Sequence, residues 1–399
     1  MAQVHIVRHK PIPVFSQTCE VLLVGDDGSI VRLIEPSGNV GTQFPADVGS
    51  QWFGTIENLK GSLALAGASW SDVYKTDVLW TTPSQDRDEC DERKNAYNNV
   101  YGAMINAATG GPMRSNRMAR FTHAAGYPDP AALFEVQIKA IQGENVSIGG
   151  GKIDYGTWVD HQPSGASVSH KKDGEWVHTL GPDVAKEMEF VLEEQYAKPF
   201  AEEGIDFRKQ TAWMEILVAV DDAPEKTWER IEAIRKLFED YFGDDRPAGV
   251  IYPVSRIPNL DGVVEPQPRV VSGDVELARS GEIVDGFSTW TSLQYNGIKE
   301  VMVSGVAGGD AGAILGSIDA SVKAAGGAGL KENGVFNNAY VVATDDIEAS
   351  RAAFGDFNKS FSAYYEGTAP CARTAQYMGG FQNPAATCGV SNRSIFAVG

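Results

Sequence analysis

The chain has 399 residues, 43% of them hydrophobic, with 34 Lys and Arg against 53 Asp and Glu for a formal charge of −19. Phosphate binding needs clustered cations, so this balance excludes a general nucleic-acid binder, and any anionic ligand must be held by a local positive group. No apolar run is long enough to span a bilayer and Met1 to Lys10 lacks a signal-peptide core, so the expectation is a cytoplasmic protein without membrane contact.

In chain order, apolar residues Trp52, Ile56, Leu59 and Leu63 space a helix over Gln51 to Ala66, and Gly67 stands where a C-cap glycine would end it. A strand over Val73 to Thr81 follows, then a second helix around Asp91 to Ile105. The same plan returns with a helix over Val184 to Phe200, which Pro199 should end or kink, a strand over Thr211 to Val220 and a helix over Pro224 to Phe242. It returns again with a helix over Ile314 to Ala325 stopped by Gly326 and Gly327, a strand over Val335 to Ala343 and a helix over Ile347 to Tyr365. Self-similarity of this kind marks a tandem repeat. Three domains of about 130 residues, an ordinary domain size, are expected at 1–145, 146–272 and 273–399.

Each copy then reads as a hairpin carrying polar groups. Arg120 and Glu135 flank the turn signal Tyr127 to Pro130, and Arg373 and Cys388 flank Gly379 to Pro384 with the same separation of fifteen residues. In a regular antiparallel hairpin the partners would sit opposite one another, with Cβ atoms about 5 Å apart. The middle copy has Gly249 and Glu265, one residue further apart, which suggests a bulge or a longer loop. By themselves Arg120 and Glu135 could be an exposed cross-strand ion pair, worth about 1 kcal/mol or less, and a strand cysteine such as Cys388 could be a small buried hydrophobe. Cys19, Cys90, Cys371 and Cys388 have neither disulfide nor zinc spacing, so reduced thiols and no metal are expected.

Several stretches resemble the Rid (reactive intermediate deaminase, YjgF or endoribonuclease L-PSP-like) family. They are Phe15-Ser16-Gln17, Ala66-Gly67-Ala68-Ser69, Tyr74 to Thr81, Asn98-Asn99-Val100-Tyr101, Ala119-Arg120 and Phe134-Glu135-Val136. Later copies add Val303-Ser304-Gly305, Asn358 and Cys371-Ala372-Arg373-Thr374, with Thr179-Leu180-Gly181 and Pro247-Ala248-Gly249 in the weaker middle copy. The resemblance implies an α+β fold of three tandem Rid-like (chorismate-mutase-like) domains, each a mixed sheet backed by two helices, joined as an intramolecular pseudo-trimer whose ligand clefts lie between units. The middle domain is degenerate, since Gly249 cannot hold a carboxylate and Arg235 replaces the cleft asparagine.

The resemblance also implies roles. Arg120 and Arg373 would anchor a substrate carboxylate, with Asn98, Asn358, Ser304 and Gly305 lining the clefts. Glu135 would activate a water that attacks an imine carbon and releases ammonia, without any cofactor. Cys388 stands where the third copy's glutamate should be, and beside an arginine its thiol pKa would fall, making it a nucleophile. The family's first-strand glycine fits Gly25 only with a shifted alignment, and Phe15 replaces a tyrosine. The implied function is a hydrolase or deaminase acting on a C=N or amide-like bond of a small carboxylate-bearing metabolite, with ring opening as a variant. A non-catalytic metabolite-binding module is the alternative, and further association of such rings stays open.

Overall fold

The computed structural model describes the chain except residues 81–87, 89–90, 93, 97, 101, 104–118, 125–131, 182, 222, 260, 344–345, 379–385 and 399, with backbone alone at 119–124 and 347. The turn signals Tyr127 to Pro130 and Gly379 to Pro384, the thiol Cys90 and the side chain of Arg120 therefore lie outside the described residues.

Three six-stranded sheets carry the fold, and all three have one strand order. The first runs β1 (Gln3–Ile12), β2 (Phe15–Val24), β3 (Ile30–Pro36), β6 (Phe134–Gly143), β4 (Val73–Trp80), β5 (Ala119–Ala124). The second repeats it with β7 (Ser147–Gly149), β8 (Lys152–Asp154), β9 (Trp158–His161), β14 (Val264–Gly273), β12 (Thr211–Ala219), β13 (Ala248–Val254). A small hairpin of β10 (His170–Lys172) and β11 (Glu175–Val177) stands apart from it. The third reads β15 (Glu276–Arg279), β18 (Trp290–Tyr295), β19 (Ile298–Gly308), β22 (Cys388–Ala397), β20 (Gly334–Val342), β21 (Ala372–Met378), with β16 (Ile283–Val284) and β17 (Phe287–Ser288) as a separate short pair.

This order corrects the hairpin expectation. β5 pairs with β4 in parallel and β6 pairs with β4 antiparallel, so β4 lies between Arg120, which registers with Thr76, and Glu135, which registers with Leu79. In the third sheet β20 likewise separates Arg373, opposite Asn337, from Cys388, opposite Val341. Neither expected pair is a pair.

The helices form largely where the periodicity put them, at Val48–Leu65, Pro224–Phe242, Ala311–Ala324 and Ile347–Tyr364. An aspartate begins several of them. Asp47 accepts from the Ser50 N–H at 2.8 Å and Asp310 from the Ala313 N–H at 2.7 Å, each satisfying a donor the helix leaves open. Gly67, at φ 65°, takes the left-handed turn after the first helix. Pro199 does not end its helix. A wide π turn at Val191–Ala197 leads directly into Lys198–Glu202, so the bond that proline cannot donate falls where the ladder has already changed register.

Each helix layer covers one face of its sheet. Trp52, Leu59, Leu63, Val78 and Phe134 make that core in the first unit, Met188, Leu192, Ile216 and Phe238 in the second, and Leu315, Ile318, Val341 and Phe361 in the third. Burying a leucine such as Leu59 or Leu63 contributes about 1.5–3 kcal/mol. The opposite faces meet in a shared core where Leu33, Tyr74, Val271, Leu293, Phe336 and Ile395 come together from all three sheets. This explains why β4 is buried along its whole length.

Charges cross that shared core. Arg269 on β14 binds Asp160 on β9 at 2.8 Å and also pairs with Glu300 on β19. Arg393 on β22 donates to Glu300 at 2.7 Å and pairs with Glu35 on β3. Burial pushes the Glu300 carboxyl up, but the two guanidinium groups more than reverse this and hold it well below the usual carboxylate range. The network ties the three sheets together. No helix among the described residues is long and apolar enough to cross a membrane.

Candidate functional site

Where the first and third sheets meet, β21 lies against the ends of β2 and β3. The Ser16 N–H donates to the Cys371 carbonyl at 3.0 Å, and the Gly38 N–H to the Arg373 carbonyl at 3.3 Å. The Arg373 N–H donates to Ser37 Oγ at 2.8 Å, and that hydroxyl donates to the Ser16 carbonyl at 2.7 Å. These bonds fix the backbone at Arg373.

Glu135, on β6, points into this seam, where its Oε1 accepts from the hydroxyl of Thr374. Gly38 gives it room, because a Cβ there would overlap the Glu135 carboxylate and displace it. Burial raises the Glu135 carboxyl to about 7, although the Thr374 hydroxyl and the charge of Arg373 both act to lower it. A carboxyl poised near neutrality is suited to general-base work.

Arg373 is 6% exposed and sits among four aromatic rings. Its guanidinium carbon lies 4.9 Å from the centre of Phe361, 5.4 Å from Phe357, 5.9 Å from Phe354 and 6.0 Å from Phe15. Ring faces stabilise a cation that has left water. Burial nonetheless lowers its pKa to about 10, against the pull of Glu135. Its Nη1 is buried without a hydrogen-bond partner among the described residues. A buried donor left open beside a carboxyl is a natural receptor for a ligand oxygen. Phe354, Phe357 and Phe361 follow helical spacing along one face of Ile347–Tyr364. Asn358 lies on the same helix, half-buried, with its Oδ1 unpartnered among the described residues.

The predicted residues are thus regrouped. Glu135 and Arg373, expected in separate hairpins, meet across the seam. Arg120 belongs to β5 at the edge of the first sheet, and Asn98 is exposed on a helical stretch. Glu265, on β14, is buried at the register of Glu135 in the second sheet.

Ser304 and Gly305 lie at another seam, between the second and third sheets. There the Gly249 N–H donates to Ser304 Oγ at 2.9 Å, and Ser304 donates to the Ser288 carbonyl at 2.6 Å. This repeats the Arg373, Ser37 and Ser16 arrangement bond for bond.

Cys388 is displaced from the role expected of it. Leu79, Leu217 and Tyr340 occupy one register position in their sheets, and their partners are Glu135, Glu265 and Gly389. Gly389 is therefore the counterpart of the glutamates. Cys388, one residue earlier, faces the other way into the helix-side core. Burial pushes its thiol up to about 11, not down, and the thiol donates to the Gly308 carbonyl at 3.6 Å.

Gly38 and the phenylalanine cluster escaped the sequence reading. The signal was present for Gly38, because Phe15-Ser16 with Ser37-Gly38 repeats as Phe287-Ser288 with Ser304-Gly305.

No family model matches the chain, and no curated protein does. Among solved structures the chain is similar to a chorismatase at 11% identity and a TM-score of 0.43, covering 81% of this chain and 93% of that one. It is similar to NMB1025, a YjgF family member from Neisseria meningitidis, at 20% identity and a TM-score of 0.26, over 35% of this chain and 95% of that one. A putative endoribonuclease L-PSP from Entamoeba histolytica shows 22% identity and a TM-score of 0.24, over 35% and 100%. Likenesses this distant assign no activity.

Proposed function

We propose that the chain is a pseudo-trimer of three Rid-like domains, 1–145, 146–272 and 273–399, and a cofactor-independent hydrolase of small carboxylate-bearing imines. In this reading the working cleft is the seam between the first and third domains. Arg373 binds the substrate carboxylate through its open guanidinium edge. Glu135, ionised, takes a proton from a water as the water oxygen bonds to the imine carbon, and returns it to the nitrogen, giving a carbinolamine. It then takes the hydroxyl proton and delivers it to the nitrogen as the C–N bond breaks, so ketone and ammonia leave and Glu135 is ionised again. No electrons are gained or lost overall.

One observation supports this most: a carboxyl held near neutrality and an open, buried guanidinium converge from the first and third sheets. The test is ammonia release from 2-iminopropionate generated in place. Wild type should accelerate release, Glu135→Gln should lose at least a hundredfold in kcat/KM, and Arg373→Met should raise KM while the protein stays folded. Rates unchanged in both variants would leave the metabolite-binding alternative standing in place of the enzyme.

A further inference from the structure

The seam between the second and third sheets has the backbone of the Glu135 site but opposite chemistry. Gly249 takes the register of Arg373, and Gly389 that of Glu135. Both charged side chains are deleted at once. Their absence accompanies a cavity of about 450 Å³ that both glycines line, together with Gly305. Apolar groups supply most of the rest of its wall, chiefly Val250, Val306, Ala307, Phe287, Trp228 and Ile231.

The described lining contains one cation and one anion, Arg235 and Asp285, and they pair with each other at 3.0 Å. Arg235 also lies 3.4 Å from Glu232. Its charge is already neutralised, so this cleft has no free cation to recruit a carboxylate, and the acidic chain offers no help. The Arg235 Nε–H is buried without an acceptor among the described residues, which leaves one donor for a neutral carbonyl.

From this geometry we infer a second binding site, distinct from the Glu135 seam, for a neutral and largely apolar small molecule carrying a single hydrogen-bond acceptor. The volume suits roughly ten to twenty non-hydrogen atoms, in the range of ordinary ligand sites. The site performs no hydrolysis, since neither an anchor nor a base remains at the two glycine positions.

Naphthalene-1-acetamide and naphthalene-1-acetate, alike in shape and different in charge, test the inference by titration calorimetry on the full chain. In Arg373→Met, where the other seam has lost its carboxylate anchor, the amide should bind one site at least tenfold more tightly than the acetate. Gly389→Leu and Ala307→Trp fill the cavity from separate strands, and each should weaken amide binding at least tenfold. Arg373→Met, in the other seam, should leave amide binding unchanged. Equal or tighter binding of the acetate to Arg373→Met, which lacks the other seam's carboxylate anchor, would overturn the inference. So would amide binding that survives both fillings, or no binding of the amide at millimolar concentration.

Discussion

Replacing Glu135 by glutamine keeps the shape and an acceptor for Thr374 but removes a charge that burial opposes. The folded carboxyl titrates at about 7, against 4.5 for an ordinary glutamate. Each pKa unit corresponds to about 1.4 kcal/mol, so ionised Glu135 costs the folded state roughly 3 kcal/mol at most. The sign follows from proton counting. Between 4.5 and about 7 the folded chain holds a proton that the unfolded chain has released, so this group's contribution to stability falls as pH rises through that window. Glu135→Gln should therefore match wild type near pH 4.5, gain on it as pH rises, and hold a constant advantage above neutrality. Urea denaturation of both proteins at intervals from pH 4.5 to 8.5, followed by tryptophan fluorescence, measures the difference directly. In parallel, the rising limb of wild-type kcat/KM near pH 7 should be absent from the variant. A stability difference that stays flat with pH, or a variant less stable than wild type at pH 8, refutes the reasoning.

Arg269→Met leaves Asp160 and Glu300 buried without their shared guanidinium and should destabilise the fold by about 3–5 kcal/mol, read by the same denaturation. A loss below 1 kcal/mol would show that the network does not hold the three sheets together. Cys388 should resist iodoacetamide at pH 7.5 in the folded protein and react once the chain is unfolded, as mass spectrometry would show. Cys388→Ala should keep imine hydrolysis within about twofold, because the thiol lies outside the seam.

The helix and strand cores were legible in the sequence, and so was their recurrence in three sheets, because periodicity and residue type are local signals. The pairing was not. Nothing near Tyr127 or Gly379 announces that strands β4 and β20, formed much earlier in the chain, insert between what look like adjacent hairpin arms. Long-range insertion of this kind is a property of the sheet, not of the turn. The Cys388 misplacement has a smaller cause. From Gly249 to Glu265 and from Arg373 to Gly389 the spacing is sixteen, while from Arg120 to Glu135 it is fifteen. Anchoring the third copy on the first shifted it by one, and on a strand one residue exchanges core for seam. Cys388-Gly389-Val390 has no polar side chain to signal the correct parity.

The Glu135 seam joins the first sheet to the third, with Thr374 and Glu135 lying 239 residues apart along the chain. During synthesis the carboxyl emerges long before its guanidinium, so this seam stays open until Arg373 has been made. Meanwhile the apolar inner face of the first sheet awaits its cover, and a nascent chain stalled short of Arg373 carries Glu135 without Thr374 or the guanidinium beside it. Closure of the seam thus depends on synthesis having reached Arg373, a dependence that separately translated subunits meeting in solution do not have.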